Sequence, residues 1–451
     1  MADQVEQVVP LQDAIAEADA EAIGAAIEHL AEREELEEML ETLSVSERRQ
    51  LHEVLGDEGL GELLEEIDPA NAAAVLDVLP VADAADVLEQ MSPDDAADVF
   101  AELETATAGE ILTAMEPAEA DELRELLAYP PDTAGGRMTP AFVSVSPNLN
   151  IEEAVGALQQ ISEEAETIYY VYVTDSADRL LGVLSLRDLV FSPPGTPISE
   201  ITVPNVISVL DTADQEEAAR LLMEEELLAL PVVSADGRIL GIITADDVDE
   251  IIEQETTEDI ERLGGSLPLD EPYLRASSWL LVRKRVFWLL ILFVAGGYTA
   301  SVLSAFQDDL DRVVELAFFI PLLIGIGGNV GSQVTTTLVR AMGVGEVSLR
   351  DIGRVVRKET QTAVILALIL AAAGFARAAF LGVGYDIAVV VAVTAGVIVL
   401  WAAFIAAMLP LVLRQLKADP AVVSAPLITT LVDGTGLLIY LSIARYILDA
   451  I

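Results

Sequence analysis

The sequence predicts a multidomain membrane protein: an all-α domain of short helical repeats, an α+β region built twice on one pattern, and an α-helical transmembrane bundle of five helices. Three observations predict it. A helix-start signal recurs about every 12 residues near the N-terminus, a strand–helix–strand pattern occurs twice in the middle, and five long apolar runs follow. Charge divides the chain at the same place. Residues 1–274 hold 65 Asp and Glu against 10 Arg and no Lys (−55), and residues 275–451 hold 11 acids against 14 bases (+3), which together give the net −52.

Such an acidic soluble part repels nucleic acid and anionic lipid headgroups and favours cations. A salt-rich cytoplasm, as in a salt-adapted halophilic organism, also selects acidic, Lys-poor surfaces, so solvation accounts for much of the excess. The chain has no Cys and only His29 and His52. Thiolate metal sites, disulfides and Ser–His–Asp chemistry are therefore not expected, and the chain reads as no enzyme. The N-terminus, MADQVEQVVP, lacks an apolar run, so no signal peptide is expected and the first domain stays on the side of synthesis.

The first domain is placed at 1–132. Asp68-Pro69, Val81-Ala82, Ser92-Pro93, Thr105 and Glu116-Pro117 each open a short amphipathic helix, often with Pro at the first helical position. Units this short bury a face only by stacking on neighbours. Residues 133–255 read as strand, helix, hairpin strands and helix, twice. From Ser146 to Ser185 is 39 residues and from Asp211 to Thr244 is 33, so the first copy carries about six extra. The copies end alike, at Gly182-Val-Leu-Ser185-Leu-Arg-Asp188 and Gly241-Ile-Ile-Thr244-Ala-Asp-Asp247. This ending resembles tandem CBS domains, although the first copy lacks the Pro seen at Pro231. Residues 256–278 form a charged helical connector broken at Gly264-Gly265 and Pro268.

The membrane part is placed at 279–451, with apolar spans at about 286–306, 313–342, 360–384, 387–413 and 421–448. Each can cross ~30 Å of hydrocarbon at ~1.5 Å per residue. Arg283, Lys284, Arg285, Arg350, Arg354, Arg357, Lys358, Arg414 and Lys417 flank alternate ends, against Arg312 alone in the opposite loops. That bias predicts a multi-pass protein of the plasma membrane with a cytoplasmic N-terminus and an external C-terminus.

Polar residues inside the spans carry the chemistry. Asp433 lies near the middle of the fifth, in APLITTLVDGTGLL. A carboxylate there is costly and marks an ion path. A structural ion pair with Arg340 or Arg377 is the alternative. Thr429, Thr430, Thr435, Gly434 and Gly436 add hydroxyls or room for close backbone approach. The second span carries Gly325, Gly327, Gly328, Asn329, Gly331 and Gln333. Glycine-mediated packing explains the glycines but not the two amides. All of these offer hard oxygen ligands, which suit Mg²⁺ or Ca²⁺.

At this point the chain resembles the MgtE family of magnesium channels, through PLLIGIGGNVGSQVTTTLVRAMGVGEV, DPAVVSAPLITTLVDGTGL and the order N domain, CBS pair, connector, five spans. The resemblance implies a homodimer in the lipid bilayer, with a pore on its axis, Asp433 binding the ion and Asn329 nearby; the hydroxyl and small groups of Thr429 and Gly436 complete the expected ion pathway. It implies that the connector is a plug helix. It also implies that cytosolic Mg²⁺ bound between acidic faces closes the pore. Positions fitting such a sensor are Asp94, Asp98, Asp214, Glu216, Glu226, Asp247, Glu250, Glu255, Glu258, Asp259 and Asp419. CBS pairs in general suggest an adenine nucleotide: Tyr170 could stack on the base, Asp188 accept from ribose and Arg187 meet phosphate, though a packed strand and a surface turn account for the same residues. The expected function is a Mg²⁺-selective channel. A cation-coupled carrier and a non-conducting divalent-cation sensor are the alternatives.

Overall fold

A computed structural model of the chain describes residues 10–31, 35–161, 167–269, 273–274, 276–416, 419–422 and 424–448. The expectations for the first nine residues, for Lys417 and for position 451 lie outside these. The chain divides into two compact units, Met1–Glu253 and Gln254–Ile451.

The first unit opens with α1 (Leu11–Glu17), α2 (Ala20–Ala31), α3 (Leu36–Thr42) and α4 (Val45–Glu65). Then come α5 (Pro69–Leu76), α6 (Val81–Leu88), α7 (Pro93–Glu102), α8 (Thr105–Ala114) and α9 (Pro117–Leu126), each beginning where its start signal lies. Pro69, Pro93 and Pro117 occupy the first helical turn, where the missing N–H is not needed. Asp68 caps α5, accepting from the N–H of Ala70 at 3.0 Å. The helices stack alternately, α5 on α7 on α9 and α6 on α8, so each short apolar face is covered by the unit two steps on.

Next come β1 (Ser144–Val145), α10 (Ile151–Ile161), β2 (Tyr170–Thr174), β3 (Leu180–Ser185), α11 (Leu186–Phe191) and α12 (Ile198–Ile201). The second copy follows as β4 (Val209–Leu210), α13 (Gln215–Glu224), β5 (Ala229–Val233), β6 (Ile239–Thr244) and α14 (Ala245–Leu263). Each copy makes a three-stranded sheet with one parallel and one antiparallel pairing. Both hairpins carry a register shift at the same place, Val173/Thr174 and Val232/Val233. The extra residues of the first copy fall mostly between helix and hairpin: from Ile151 to Tyr170 is 19 positions, from Gln215 to Ala229 is 14. The cores differ. Val209, Ala218, Leu230, Val232, Ile243 and Val248 of the second copy join the helical-repeat core, whereas Val143, Val171, Val173 and Leu184 of the first keep a core of their own.

In the second unit the five membrane-length helices are α15 (Ser278–Ala305), α17 (Ile320–Gly343, led in by a 3₁₀ stretch Val314–Phe319), α18 (Ile352–Leu381), α19 (Tyr385–Gln415) and α20 (Ala425–Ile447), with a short α16 (Gln307–Arg312) after α15. Two start earlier than their apolar runs. α15 begins at Ser278, not near 286, and α18 at Ile352, not near 360, because Arg283–Arg285 and Arg354–Lys358 ride on opening helical turns. Arg and Lys are good helix formers whose heads reach back toward water. α19 is the most enclosed, packing Val390, Val391, Ala395, Ile398 and Ala402 among α17, α18 and α20. α15 packs mainly on α20.

Candidate ion pathway and its acidic surroundings

Asp433 sits in the middle of α20, partly buried, with its Oδ1 sealed from solvent and without a hydrogen-bond partner among the described residues. Among the described residues neither candidate arginine pairs with it: Arg377 stands 6.0 Å over the Phe380 ring, and Arg340 is exposed. Thr429 and Thr430 lie within a turn of Asp433 on the same side of the helix. Their hydroxyls donate back to Ala425 and Pro426 carbonyls at 2.9 and 2.8 Å, which leaves their oxygen lone pairs as acceptors.

The second span resolves into two faces. Gly327 meets Val432 and Ile398, Gly328 meets Thr429, and Gly331 meets Ile428. A Cβ at Gly327 or Gly331 would come within 2.6 or 2.5 Å of a neighbouring side chain, so these glycines let α17 approach α20 closely. Ser332 and Thr429 hydroxyls add a contact at 3.4 Å. At about 100° per residue, Gly325, Asn329, Gln333 and Thr336 fall on the opposite face, and all four are exposed. Glycine packing thus accounts for one face, and the amides stand on the other. Gly436 is buried against Ile398, a packing position facing α19. Thr435 accepts from the Trp401 indole at 2.9 Å, a clamp on α20 that composition did not flag.

Several of the sensor candidates gather at two places. In the first unit, Arg137 donates to Asp98 at 2.8 Å and to Gln215 at 2.9 Å. Its charge also acts on Asp247 and Glu250, each of which burial pushes above the usual carboxylate range. Asp98 is raised by burial too, against the pull of Arg137. Asp95, unforeseen, is pushed up to about 7 by burial, with Glu65, Asp247 and Asp98 adding to the rise against a lowering hydrogen bond from Ser92. Asp214 caps α13 through the Glu216 N–H at 2.9 Å, and Glu226 follows the helix at φ 53°. In the second unit, Arg262 of α14 bridges Glu258 to Asp419, which itself accepts from the Ala421 N–H at 2.7 Å. Burial first, then Asp419, raises Asp259. Asp94 and Glu255 lie on α7 and α14. Among the described residues no three Asp, Glu or His converge tightly enough to hold a metal ion unaided. Arg137 and Arg262 were not singled out in the sequence; the scarcity of bases among so many acids is the signal that marks them.

The nucleotide trio is only partly available. Asp188 Oδ2 accepts from Ser185 Oγ at 2.7 Å and Ser185 N–H at 3.2 Å, a capping box on α11. Asp247 repeats it on Thr244, both contacts at 2.7 Å. The repeated [ST]-x-x-D ending thus starts a helix in each copy. Tyr170 packs against the Tyr172 cluster, and Arg187 is exposed.

Five membrane-length helices, a carboxylate among them whose Oδ1 has no hydrogen-bond partner among the described residues, and duplicated small sheets outside them fit a multi-pass transporter of cations. Family models agree: residues 320–443 match the MgtE divalent cation transporter, 13–132 the MgtE intracellular N domain, and 134–194 and 198–254 CBS domains. The magnesium transporter MgtE of Thermus thermophilus is 44% identical over 337 residues, 73% of each chain. That of Bacillus subtilis is 33% identical over 323 residues, 71% of this chain and 70% of its own. The crystal structure of the soluble part of a magnesium transporter aligns over 54% of this chain and 96% of its own, with 33% identity and a TM-score of 0.50. The chain belongs to the MgtE family.

Proposed function

We propose that the chain is a Mg²⁺-selective channel, assembled from two copies and closed by Mg²⁺ on its acidic cytoplasmic side. The observation that carries the reading is the sealed, unpartnered carboxylate oxygen of Asp433 at mid-span. Such a group costs free energy unless a cation meets it. The amide-bearing face of α17 supports a second copy, since Asn329 and Gln333 stand exposed where lipid would otherwise lie. Two carboxylates facing across an axis suit Mg²⁺, which keeps most of its water. Asp433→Ala should abolish Mg²⁺ flux while leaving a folded, inserted protein. Wild-type-like uptake would remove Asp433 from the path. Unitary, potential-driven current separates a channel from a coupled carrier and from a silent sensor.

The basic-residue bias supports a cytoplasmic position for the first unit and for residues 344–358, which run from the end of α17 into the opening turns of α18. With no native Cys, an Ile352→Cys variant should react with an impermeant thiol reagent only from inside. Closure follows from charge. Two unit charges ~6 Å apart repel by roughly 3 kcal/mol at an effective dielectric near 20, and bridging divalent ions reverse that sign. Millimolar Mg²⁺ should therefore protect fragment 1–265 from protease even in high KCl. Glu255→Gln, Glu258→Gln and Asp259→Asn together should blunt the protection and leave the channel harder to close. Protection by KCl alone would reduce the acidic surface to solvation. An adenine nucleotide at the CBS pair is proposed through Arg187 and phosphate, and ATP titration giving no heat would dismiss it.

A further inference from the structure

The helical part of the connector, the end of α14, closes in a turn that touches a membrane-length helix. Gly265 takes φ 78°, the Gly265 N–H reaches the Arg262 carbonyl at 2.8 Å and the Ser266 N–H the Glu261 carbonyl at 3.0 Å, a Schellman close to α14. A Cβ on Gly265 would lie 2.8 Å from Trp288 Cδ1 and 3.3 Å from Pro426 Cγ, so the turn is pressed against α15 and the first turn of α20. The Leu267 N–H also donates to the Lys284 carbonyl at 3.1 Å.

Trp288 continues the path. Its indole N–H donates at 3.0 Å to Oγ of Ser424, the fully buried N-cap of α20, whose oxygen also accepts from the Leu427 N–H at 3.3 Å. Farther along, Tyr298 fills the notch left by Gly434: a Cβ there would fall 2.3 Å from Tyr298 Cδ1. Gly434 is the residue after Asp433. Trp288 to Tyr298 is ten residues, and so is Ser424 to Gly434. The two helices therefore run side by side in the same sense, in step over about 15 Å, pinned at both ends of that stretch. A helix pinned at two points does not slide on its neighbour without breaking one contact, because helices behave as stiff rods over three turns.

We propose that α15 is a strut carrying the connector's position to the Asp433 carboxylate, with Trp288 and Tyr298 as its positioning residues. The proposal rests on the reading of Asp433 and of connector gating given above. It accounts for the tight Gly434 notch beside the one carboxylate of the path, and for an indole spent on the N-cap of that same helix.

The test uses the full-length protein in excised membrane patches, with current recorded against cytoplasmic Mg²⁺. Trp288→Phe keeps the ring against Gly265 and removes the N–H. It should raise the closing Mg²⁺ concentration roughly fivefold, the weight of one hydrogen bond. Ser424→Ala should do the same, and the double variant no more than either alone. With Tyr298→Ala in place, Trp288→Phe should add nothing, since the far end of the strut is already loose. Gly434→Ala should depress current, and Tyr298→Ala in the same chain should restore it by reopening the notch. Shifts that multiply in the Trp288/Tyr298 pair overturn the strut, as does a Gly434→Ala defect that Tyr298→Ala leaves unrepaired. If Gly434→Ala never reaches the membrane, the Trp288/Tyr298 cycle decides alone. If wild-type current ignores Mg²⁺, connector gating falls, and the Gly434/Tyr298 rescue still judges the contact beside Asp433.

Discussion

Asp98 in the first unit and Asp433 in the second are both partly buried carboxylates, and their surroundings are opposites. Asp98 receives the Arg137 guanidinium at 2.8 Å, and the same arginine holds Gln215 and lies within electrostatic reach of Asp247 and Glu250. Asp433 has a sealed oxygen and, among the described residues, no arginine. The difference separates an acid whose counter-charge is built into the chain from one that has no built-in counter-charge among the described residues and that, on the proposed reading, meets it in the ion. An acid of the first kind serves structure first, and a metal there has to compete with a fixed cation. One of the second kind is costly until something positive passes.

The comparison can be broken most sharply at Asp433. Asp433→Asn keeps the side-chain shape and removes the charge, so Mg²⁺ uptake should drop to background while Asp98→Asn leaves uptake measurable. Equal loss in both variants would erase the distinction. The next effect in size is at Arg137. Arg137→Ala leaves Asp98, Asp247 and Glu250 without their shared cation, and should cost about 3 kcal/mol of stability. Denaturant unfolding of fragment 1–265 reads this, and a midpoint unchanged from wild type would mean that Arg137 is only decorative.

The smallest effect is a pH dependence at Asp95. Its folded pKa of about 7 lies above the ordinary carboxylate value, so the protonated form is favoured by the fold. The stability this group contributes is fully present below the unfolded pKa, and is lost as pH rises to about 7. Fragment 1–265 should therefore melt higher at pH 6 than at pH 8. Asp95→Asn should be the more stable protein at pH 8 and show a flatter profile. A wild-type-like slope in that variant would assign the dependence to the general acidity of the surface.

Much of this was legible in sequence because the signals are local and periodic. Pro at first helical turns located α5, α7 and α9, the repeated [ST]-x-x-D ending located the two CBS copies, and uninterrupted apolar length located five spans. Asp433 stood out because a charge within an apolar run needs no neighbour to be conspicuous. Helices α15 and α18 begin before their apolar runs, since charge marks the membrane boundary and not the end of the helix.

What tertiary structure alone decided is which groups meet. Arg137 reaches Asp98 across 39 positions and Gln215 across 78, and Arg262 reaches Asp419 across 157. No periodicity within one element encodes such partners. The same holds for the glycines of α17, whose packing face and open polar face share one stretch of sequence and divide only when α20 arrives on one side. Asp188 reads as a ribose partner in isolation, and only the fold shows it also capping α11 with Ser185. Local sequence fixes backbone form through sterics and hydrogen bonding between near neighbours. Pairing of charges and filling of notches depend on distances that close only when remote segments pack.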